Sequence, residues 1–332
     1  MRMRILGKDF TVSAMGYGAM GLSEFYGEAK DTDSLEVLKT VIESGVNLLD
    51  TADIYGRGHN ERLIGHFLGT LKGRQREQIN IATKCGIYRP VEAAYARSIN
   101  NEPDYIRRCC HDSLQRLGIE RIDLYYLHRI NPQASIEESM SCLSELVKEG
   151  KIAHVGLCEV SATTLEKAHR VHPVTALQTE YSLWTRDIEQ NILPTAIRLG
   201  IGVVPYSPLG RGFLTGKYLN NADFSDDDFR KNNPRFSDEN LHSNAKILNA
   251  IEPLATKYQC TLGQLSLAWL LAQYDQIVPI PGTKNSRYAR ENAAAADIEL
   301  SEDDVVFITK LKDQIEIKGE RYSQEGMKGV NA

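Results

Sequence analysis

Short apolar runs rich in β-branched and aromatic residues alternate along the chain with longer segments in which apolar residues recur at helical spacing. Eight such runs occur, in the order AMGYGAM, VNLLDTAD, INIATKCG, RIDLYYLHRI, AHVGLCEV, TALQTEY, GVVPYSPL and QIVPIPG. In the helical segment after the first run, Leu35, Leu38, Val41 and Ile42 share one face, and Gly45 suits a left-handed helix end. The pattern predicts strands and helices in alternation.

This alternation predicts the α/β class. Nearly continuous apolar strands joined by helical crossovers indicate a parallel sheet covered on both faces. Eight strand–helix units favour a single closed (β/α)8 TIM barrel over an open sheet, because closure leaves no exposed edge strands. The N-terminal segment RMRILGKDFTVS predicts a small β-hairpin that turns near Gly7 and Lys8 and covers the bottom of the barrel.

Two long segments follow predicted strands at their carboxyl ends. Residues 85–103 follow the third strand, and residues 208–243 follow the seventh. Barrels of this type build their sites on that face. We therefore expect lid or specificity loops there.

The stretch MGYGAMG at residues 15–21 contains G-x-G-x-x-G, and Glu36 lies twenty positions after the first glycine. A Rossmann turn must open directly into a helix that binds a pyrophosphate. Here a polar loop follows instead, and the helical pattern starts near Asp33. Asp33 and Glu36 together resemble a capping box. The motif is therefore not interpreted as a Rossmann turn.

Composition is that of an ordinary globular protein: of 332 residues, 42% are apolar and 25% charged. No run approaches the roughly 20 apolar residues of a membrane span, and the N-terminal segment lacks the apolar core of a signal peptide. We therefore expect a cytoplasmic protein without a membrane partner. The net charge of −5 gives no basic surface for nucleic acid.

The cysteines form no CxxC pair and no metal-binding spacing. They are Cys85, Cys109, Cys110, Cys142, Cys158 and Cys260. Reduced thiols are expected in a cytoplasmic compartment. No metal site is predicted.

Polar residues close several predicted strands. Asp50 closes VNLLD, Lys84 closes INIATK and His128 closes IDLYYLH, while Tyr55 lies five residues past Asp50. In a barrel these ends converge on one mouth, where a partly buried lysine needs a carboxylate partner. Together they form a candidate catalytic group.

Seven segments carry a family pattern in a fixed order: LLDTADIYGRGHNERLIG, IATKCG, RIDLYYLHR, HVGLCEVS, LQTEYSLW, VVPYSPLGRGFLTGK and IPGTKNSRYAREN. In these segments the chain resembles the aldo-keto reductase family, most closely the branch with GFLTGK and IPGT segments, which includes bacterial, fungal and plant carbonyl reductases. The resemblance covers about residues 5–312. It implies one aldo-keto reductase-like barrel domain over 1–332, with a C-terminal tail over 313–332.

The resemblance implies NADPH-dependent reduction of aldehydes and ketones to alcohols, with hydride transfer from nicotinamide. Asp50, Tyr55, Lys84 and His128 match the family's catalytic tetrad. Tyr55 would donate the proton, and the Lys84 ammonium would lower its pKa by favouring the phenolate. Asp50 would hold Lys84 in its charged form, and His128 would orient the substrate oxygen.

The resemblance also implies a cofactor site. Cys158, Glu159 and Gln178 match positions that contact the nicotinamide carboxamide, and Tyr206 matches the ring that stacks on nicotinamide. The residues that match the pyrophosphate segment are Ser207, Leu209, Gly210 and Lys217. The residues that match the segment over the adenosine half are Gly282, Thr283, Lys284, Arg290, Glu291 and Asn292.

Three cations near the start of the eighth helix favour NADP(H) over NAD(H), since Lys284, Arg287 and Arg290 suit a 2′-phosphate. The chain departs from the family at Cys158, where Ser is common, and at Gly282 and Tyr288, where other branches carry Lys and Arg. The opening glycines, Gly16, Gly18 and Gly21, are then expected to let the backbone approach the nicotinamide and the substrate closely.

Phe25, Tyr26, Tyr88 and Trp184 are expected to line the substrate pocket together with residues 208–243. Such aromatic walls suggest apolar or aromatic aldehydes and ketones. The physiological substrate and the oligomeric state stay open.

Two alternatives remain. Relatives of this fold include cofactor-binding regulatory subunits that resemble potassium-channel β subunits, with slow or vestigial turnover. A metal-dependent hydrolase using Asp50, His59, Glu61 and His128 is disfavoured, because the usual ligand spacings are absent.

Overall fold

The alternating pattern produces alternating strands and helices. The structure, a computed structural model, describes residues 1–90, 98–226, 228–327 and 329–330. Its strands are β1 (Met3–Leu6), β2 (Phe10–Ser13), β3 (Tyr17–Gly18), β4 (Leu48–Asp50), β5 (Asn80–Cys85), β6 (Ile87–Tyr88), β7 (Ser98–Ile99), β8 (Ile122–Leu127), β9 (Ile152–Cys158), β10 (Ala176–Glu180) and β11 (Gly202–Tyr206). Its α-helices are α1 (Asp31–Glu43), α2 (His59–Thr70), α3 (Arg74–Glu77), α4 (Pro103–Leu117), α5 (Ile136–Lys148), α6 (Ala162–Val171), α7 (Ile192–Leu199), α8 (Asp238–Asn244), α9 (Lys246–Lys257), α10 (Leu262–Leu271), α11 (Ser286–Ala294), α12 (Glu302–Gln314) and α13 (Gln324–Met327).

The main sheet is parallel and nearly closed, in the order β3, β4, β5, β8, β9, β10, β11. The eighth predicted run closes it: the Val278 and Ile280 amides donate to the carbonyls of Val203 and Pro205, and Gly16 donates to the Pro279 carbonyl. This run forms only an isolated bridge rather than a regular strand, because Pro279 and Pro281 have no amide hydrogen to donate. The predicted (β/α)8 barrel is confirmed.

The N-terminal hairpin covers the amino end of the barrel, as predicted. β1 and β2 pair antiparallel around Gly7, whose φ is +61°. Leu6, Phe10 and Val12 are buried with side chains from inside the barrel. A Cβ on Gly202, at the start of β11, would lie 2.4 Å from Leu6 Cδ2, so the hairpin packs directly against the strand.

The first helix begins earlier than its sequence suggests. α1 starts at Asp31 rather than near Asp33, and its N-cap position, Lys30, makes no side-chain capping bond. The expected capping box of Asp33 with Glu36 is therefore wrong; Asp33 instead lies in the first turn, where a carboxylate interacts favourably with the helix dipole. The helix end is as predicted, with Gly45 at φ +84°.

Packing within the barrel requires glycine at positions 16 and 18. A Cβ on Gly16 would lie 2.8 Å from Ile280 Cγ2, and one on Gly18 would lie 2.8 Å from the Ile280 carbonyl oxygen. At Gly21 a Cβ would make only an ordinary contact with Tyr26. These two glycines let the first strand approach the segment that closes the sheet, and their expected approach to the nicotinamide and the substrate stays a prediction.

The two predicted long segments differ in character. Residues 208–243 contain the start of α8 and several short 3-10 turns: Gly210–Thr215, Asn221–Asp223, Phe229–Asn232 and Pro234–Phe236. In residues 85–103, β6 and β7 pair antiparallel, while residues 91–97 lie outside the described residues.

The C-terminal tail folds back onto the second of these segments. Asn244 exchanges two hydrogen bonds with the backbone of Lys318, and the Arg235 side chain donates to the Gly319 carbonyl. The described part of the tail thus belongs to the barrel's carboxyl face. Among the described helices, none has the length and apolar character needed to cross a membrane.

The hairpin contact predicts a contrast between neighbouring residues of β1. Leu6 is fully buried, whereas Ile5 is 50% exposed. Leu6→Ala should lower the free energy of unfolding by about 2–5 kcal/mol, the usual cost of a cavity in a packed core. Ile5→Ala should change it by less than about 0.5 kcal/mol. Urea unfolding followed by circular dichroism measures both, and equal losses would show that the hairpin does not seal the barrel through Leu6.

Candidate active site

The carboxyl ends of neighbouring strands bring four predicted side chains together. Asp50 ends β4, Lys84 lies near the end of β5, and His128 directly follows β8. Tyr55 begins a 3-10 turn beyond β4. The exposed fractions are 2% for Asp50, 0% for Lys84, 8% for His128 and 9% for Tyr55. The group is buried beneath the barrel mouth.

The Lys84 ammonium is held by three acceptors. Its Nζ donates to Asp50 Oδ1 at 2.5 Å, to the Thr51 carbonyl at 2.6 Å and to the Tyr55 hydroxyl at 3.4 Å. The other Asp50 oxygen accepts from Gln178 Nε2 at 2.7 Å. An ammonium removed from water needs such partners, since its desolvation costs several kcal/mol. The site therefore holds a fixed positive charge beside a phenol.

Tyr55 lies between this charge and His128. The Tyr55 and His128 rings meet edge to face, with centroids 5.7 Å apart and planes at 82°. Lys84 Nζ is 5.1 Å from the centroid of the Tyr55 ring. The phenol thus contacts both a cation and an imidazole, which is a suitable setting for proton transfer to an oxygen.

Burial decides the ionisation of the phenol. It raises the pKa of Tyr55 to about 12, and the Lys84 ammonium opposes this shift without cancelling it. We expected Lys84 to make the phenol more acidic; its effect has that direction, but desolvation is larger. For Lys84 itself, burial lowers the pKa, yet Asp50 and the other neighbours together raise it above its usual range. Near neutral pH, Tyr55 keeps its proton and Lys84 keeps its charge.

The predicted carboxamide contacts occupy the next two strand ends. Gln178, on β10, is committed through its amide nitrogen to Asp50. Cys158 ends β9, is 1% exposed, and burial raises the pKa of its thiol to about 12. Glu159 follows in a left-handed conformation, with φ +53°. Its Oε1 accepts from the Glu180 amide at 2.8 Å, while Oε2 is buried without a hydrogen-bond partner among the described residues.

The seventh strand end carries the predicted stacking ring and the pyrophosphate segment. Tyr206 ends β11 and is partly exposed, and Ser207 has a left-handed φ of +47°. Leu209 packs on the main core. Gly210 has a φ of +56°, and a Cβ there would lie 2.7 Å from the Trp184 indole. Lys217 is exposed, with Nζ 4.3 Å from the centroid of the Tyr288 ring.

Residues around the start of α11 are already engaged with the protein. Lys284 Nζ donates to the carbonyls of Tyr26, Gly27 and Glu28. The Thr283 carbonyl accepts from the Tyr17 hydroxyl at 2.7 Å. Lys284 would have to leave these carbonyls to contact a phosphate.

Gly282 explains one departure from the family pattern. A Cβ there would lie 2.5 Å from the Gly18 carbonyl oxygen, so no side chain fits beside the first strand. Arg290 is exposed, Asn292 is buried, and Glu291 Oε1 accepts from Thr261 at 2.9 Å. Arg290 is thus more accessible to an anion than Lys284.

The predicted substrate residues occupy different environments. Phe25 and Tyr26 meet Phe229 edge to face, with centroids 6.1 and 5.5 Å away. Tyr88 is 48% exposed. Trp184 is 3% exposed and stacks on the ring of Phe213, which belongs to the 208–243 segment. The structure brings the first two together across the loops and leaves Trp184 in the core.

Sequence reasoning missed a set of buried arginines beside the mouth. Arg211, Arg230, Arg235 and Arg321 are each 8% exposed or less. Arg211 pairs with Glu180 at 3.1 Å, and Arg230 pairs with Asp228 at 2.6 Å. The only linear signal is that phenylalanine flanks Arg230 and Arg235, which does not distinguish a buried arginine from a solvated one.

The structure does not assemble the metal site of the disfavoured alternative. Within the described ranges, no three His, Cys, Asp or Glu side chains are grouped to hold a metal. His59 contacts Ser23 and Asp31, and Glu61 accepts from Thr83 and Arg116.

Comparison with known proteins identifies the family. A sequence model of the Aldo/keto reductase family matches residues 14–313. The chain belongs to this family. Probable aldo-keto reductase 1 of Glycine max is 44% identical over 317 residues, which is 95% of this chain and 90% of that protein.

Solved aldo-keto reductase structures share the fold. Glycerol dehydrogenase of Gluconobacter oxydans superposes with a TM-score of 0.84 at 26% identity, covering 96% of this chain and 97% of that one. An aldo-keto reductase of Bacillus halodurans in its holo form has a TM-score of 0.77 at 27% identity, with 98% and 99% covered. A thermostable aldo-keto reductase solved with the inhibitor epalrestat has a TM-score of 0.76 at 29% identity, with 94% and 100% covered. Aldo-keto reductases are oxidoreductases that act on small carbonyl compounds with a nicotinamide cofactor.

A second carboxyl with a raised pKa lies between Asp50 and Tyr55 in this aldo-keto reductase, on a residue that is partly exposed. Burial raises the pKa of Asp53 to about 8, with Glu61 adding to the shift and Arg116 and a hydrogen bond from Cys109 opposing it. Asp53 Oδ1 has no hydrogen-bond partner among the described residues. Asp53 thus carries a proton in the fold at pH values where an exposed aspartate is ionised.

Asp53 should make the fold less stable as pH rises. The folded state retains this proton up to about pH 8, whereas the unfolded chain releases it near pH 3.9, so the stability contribution is lost between these values. Between about pH 5 and about pH 8, the free energy of unfolding should fall less in Asp53→Asn than in the wild type. The expected difference is roughly 1–2 kcal/mol, allowing for solvent near a partly exposed group. Urea unfolding at the two pH values tests this, with the exposed Asp313→Asn as control. Parallel pH profiles for wild type and Asp53→Asn would contradict it.

Proposed function

We propose that this protein reduces aldehydes and ketones to alcohols with NADPH, and that Tyr55 donates the proton. The observation that carries the proposal is the buried contact of a neutral phenol with a fixed ammonium and an imidazole. Reduction of a carbonyl by hydride leaves negative charge on its oxygen, so a proton donor and a nearby positive charge are what the reaction needs.

Each member of the group has a distinct part. Tyr55 Oη holds the proton that is transferred, and its raised pKa keeps that proton in place until the oxygen becomes basic. Lys84 stabilises the phenolate that Tyr55 becomes, because a unit charge about 4 Å away is worth roughly 4 kcal/mol at an effective dielectric near 20. Asp50 fixes Lys84 and is itself fixed by Gln178. His128 orients the carbonyl oxygen.

A nicotinamide cofactor fits the neighbouring strand ends, and it supplies the hydride when bound. The orphaned Glu159 Oε2 is a buried acceptor beside Cys158, which suits a carboxamide N–H. Tyr206 is partly exposed at the end of β11, as a stacking ring must be. Arg287 and Arg290 are exposed on α11, where they suit a 2′-phosphate.

Loss of the Tyr55 hydroxyl should abolish most turnover. Tyr55→Phe should lower kcat by roughly 10²- to 10⁴-fold, the range for loss of a general acid, while leaving the Kd for NADPH nearly unchanged. NADPH oxidation against a panel of carbonyl compounds measures the first, and fluorescence titration measures the second. The control is Tyr274→Phe. The Tyr274 backbone carbonyl accepts a hydrogen bond from Arg4 on the N-terminal hairpin, at the opposite end of the barrel from the mouth.

Two other outcomes are informative. Undiminished reduction by Tyr55→Phe would remove Tyr55 from the mechanism. Tight NADPH retention with very slow turnover in the wild type, across the whole panel, would favour the regulatory-subunit alternative.

The exposed cations of α11 should select the cofactor. Arg287→Ala combined with Arg290→Ala should raise the Kd for NADPH about tenfold or more, since a charge-assisted hydrogen bond is worth about 1.5–3 kcal/mol. The Kd for NADH, which lacks the 2′-phosphate, should stay the same. Arg121→Ala, exposed before β8, is the matched control. Equal weakening of both cofactors would argue against recognition of the 2′-phosphate.

A further inference from the structure

The C-terminal segment over residues 318–322 lies on the barrel mouth, although the family model ends at residue 313. Its backbone is fixed by side chains of the 208–243 segment. The Arg321 carbonyl accepts from Arg211 Nη1 at 2.6 Å and from Asn233 Nδ2 at 2.9 Å. The Gly319 carbonyl accepts from Arg235 Nε at 3.0 Å. This segment is therefore docked by buried donors rather than lying loosely on the surface.

Arg321 reaches the residue that follows the ninth strand. Its guanidinium is 3% exposed and lies 3.5 Å from Glu159 Oε1 and 3.7 Å from Asp187 Oδ2. Glu159 stands next to Cys158 at the proposed carboxamide position. A buried arginine without these carboxylates would be strongly destabilising, so the tail and the strand end hold each other in place.

Tyr322 reaches the proposed stacking ring. Its hydroxyl lies 2.9 Å from the Tyr206 hydroxyl, so one phenol donates to the other. The Arg211 guanidinium lies 4.6 Å from the centroid of the Tyr322 ring and pairs with Glu180 at 3.1 Å. Arg211 thus stacks on Tyr322 while itself being anchored to β10.

The bond between the two phenols constrains where Tyr206 stands. A tyrosine hydroxyl lies on the axis about which its ring rotates, so a hydrogen bond there limits sideways swing of the whole side chain. The Tyr322 ring is held by its contact with Arg211, and the preceding Arg321 carbonyl is held by Arg211 and Asn233. Stacking on a planar ligand needs such a fixed ring, because each residue that must be immobilised on binding costs affinity.

We propose that Tyr322 is a positioning residue, which pre-orients Tyr206 for the nicotinamide ring and makes the C-terminal tail part of the cofactor site. The inference rests on the proposed function through the role of Tyr206. Tyr322 acts through Tyr206 rather than on the reacting atoms.

The test is a double-mutant cycle on NADPH affinity. Tyr322→Phe and Tyr206→Phe each remove one hydroxyl and with it the hydrogen bond between the two phenols, and both variants keep both rings. Each should raise the Kd for NADPH about 2- to 12-fold, the range for one net hydrogen bond. The double variant should bind no more weakly than the weaker single variant, because both changes remove one interaction. Titration of bound NADPH fluorescence in the full chain measures all four proteins, without reference to turnover.

Controls separate positioning from general stability. Thermal unfolding of the cofactor-free variants should match the wild type within a few degrees, and Tyr274→Phe should leave the Kd unchanged. Tyr322→Leu, which also removes the ring under Arg211, should weaken NADPH binding further than Tyr322→Phe does.

Three outcomes overturn the proposal. An unchanged Kd in Tyr322→Phe, or losses that add in the double variant, would show that the two hydroxyls do not act as a pair. Both leave the proposed reductase function standing. A wild-type chain that binds no NADPH would overturn the proposal together with the proposed function.

Discussion

A single buried ammonium determines the arrangement of this mouth. Lys84 is fully removed from solvent and needs acceptors on every side. It obtains them from Asp50 and the Thr51 carbonyl, both at the end of β4, and from Tyr55. Because a carboxylate and a carbonyl from the neighbouring strand must both reach it, the register of β4 against β5 is fixed by the charge. Gln178 extends the constraint to the opposite side of the barrel through Asp50.

The fold and the central group were predictable, since both follow from local patterns. Apolar runs at regular spacing predict strands, and a polar residue that closes such a run must lie at the carboxyl mouth of a barrel. Asp50, Lys84 and His128 are all of this kind. The structure brings them and Tyr55 together, although their catalytic roles remain proposals.

Other features depend on contacts between distant segments, which local patterns do not encode. The helix α1 starts two residues earlier than its sequence suggested, and the capping box at Asp33 did not form. The packing role of Gly16 and Gly18 was not evident because their partner, Ile280, is more than 260 residues away in the chain. The pKa of Tyr55 was expected to fall because the ammonium was known and the depth of burial was not. Arg211 and Arg321 gave no signal, since a buried arginine looks like a solvated one in a sequence.

The closing segment of the barrel has a mechanical consequence. Pro279 and Pro281 have no amide hydrogen to donate. The closing segment is joined to the first strand by the hydrogen bond from the Gly16 amide to the Pro279 carbonyl and by the close fit of Ile280 against Gly16 and Gly18. Van der Waals contact falls off much more steeply with separation than a hydrogen-bonded ladder does. The join between this segment and the first strand therefore depends on a close fit as well as on a hydrogen bond, and an added methyl group at either glycine would force the two backbones apart.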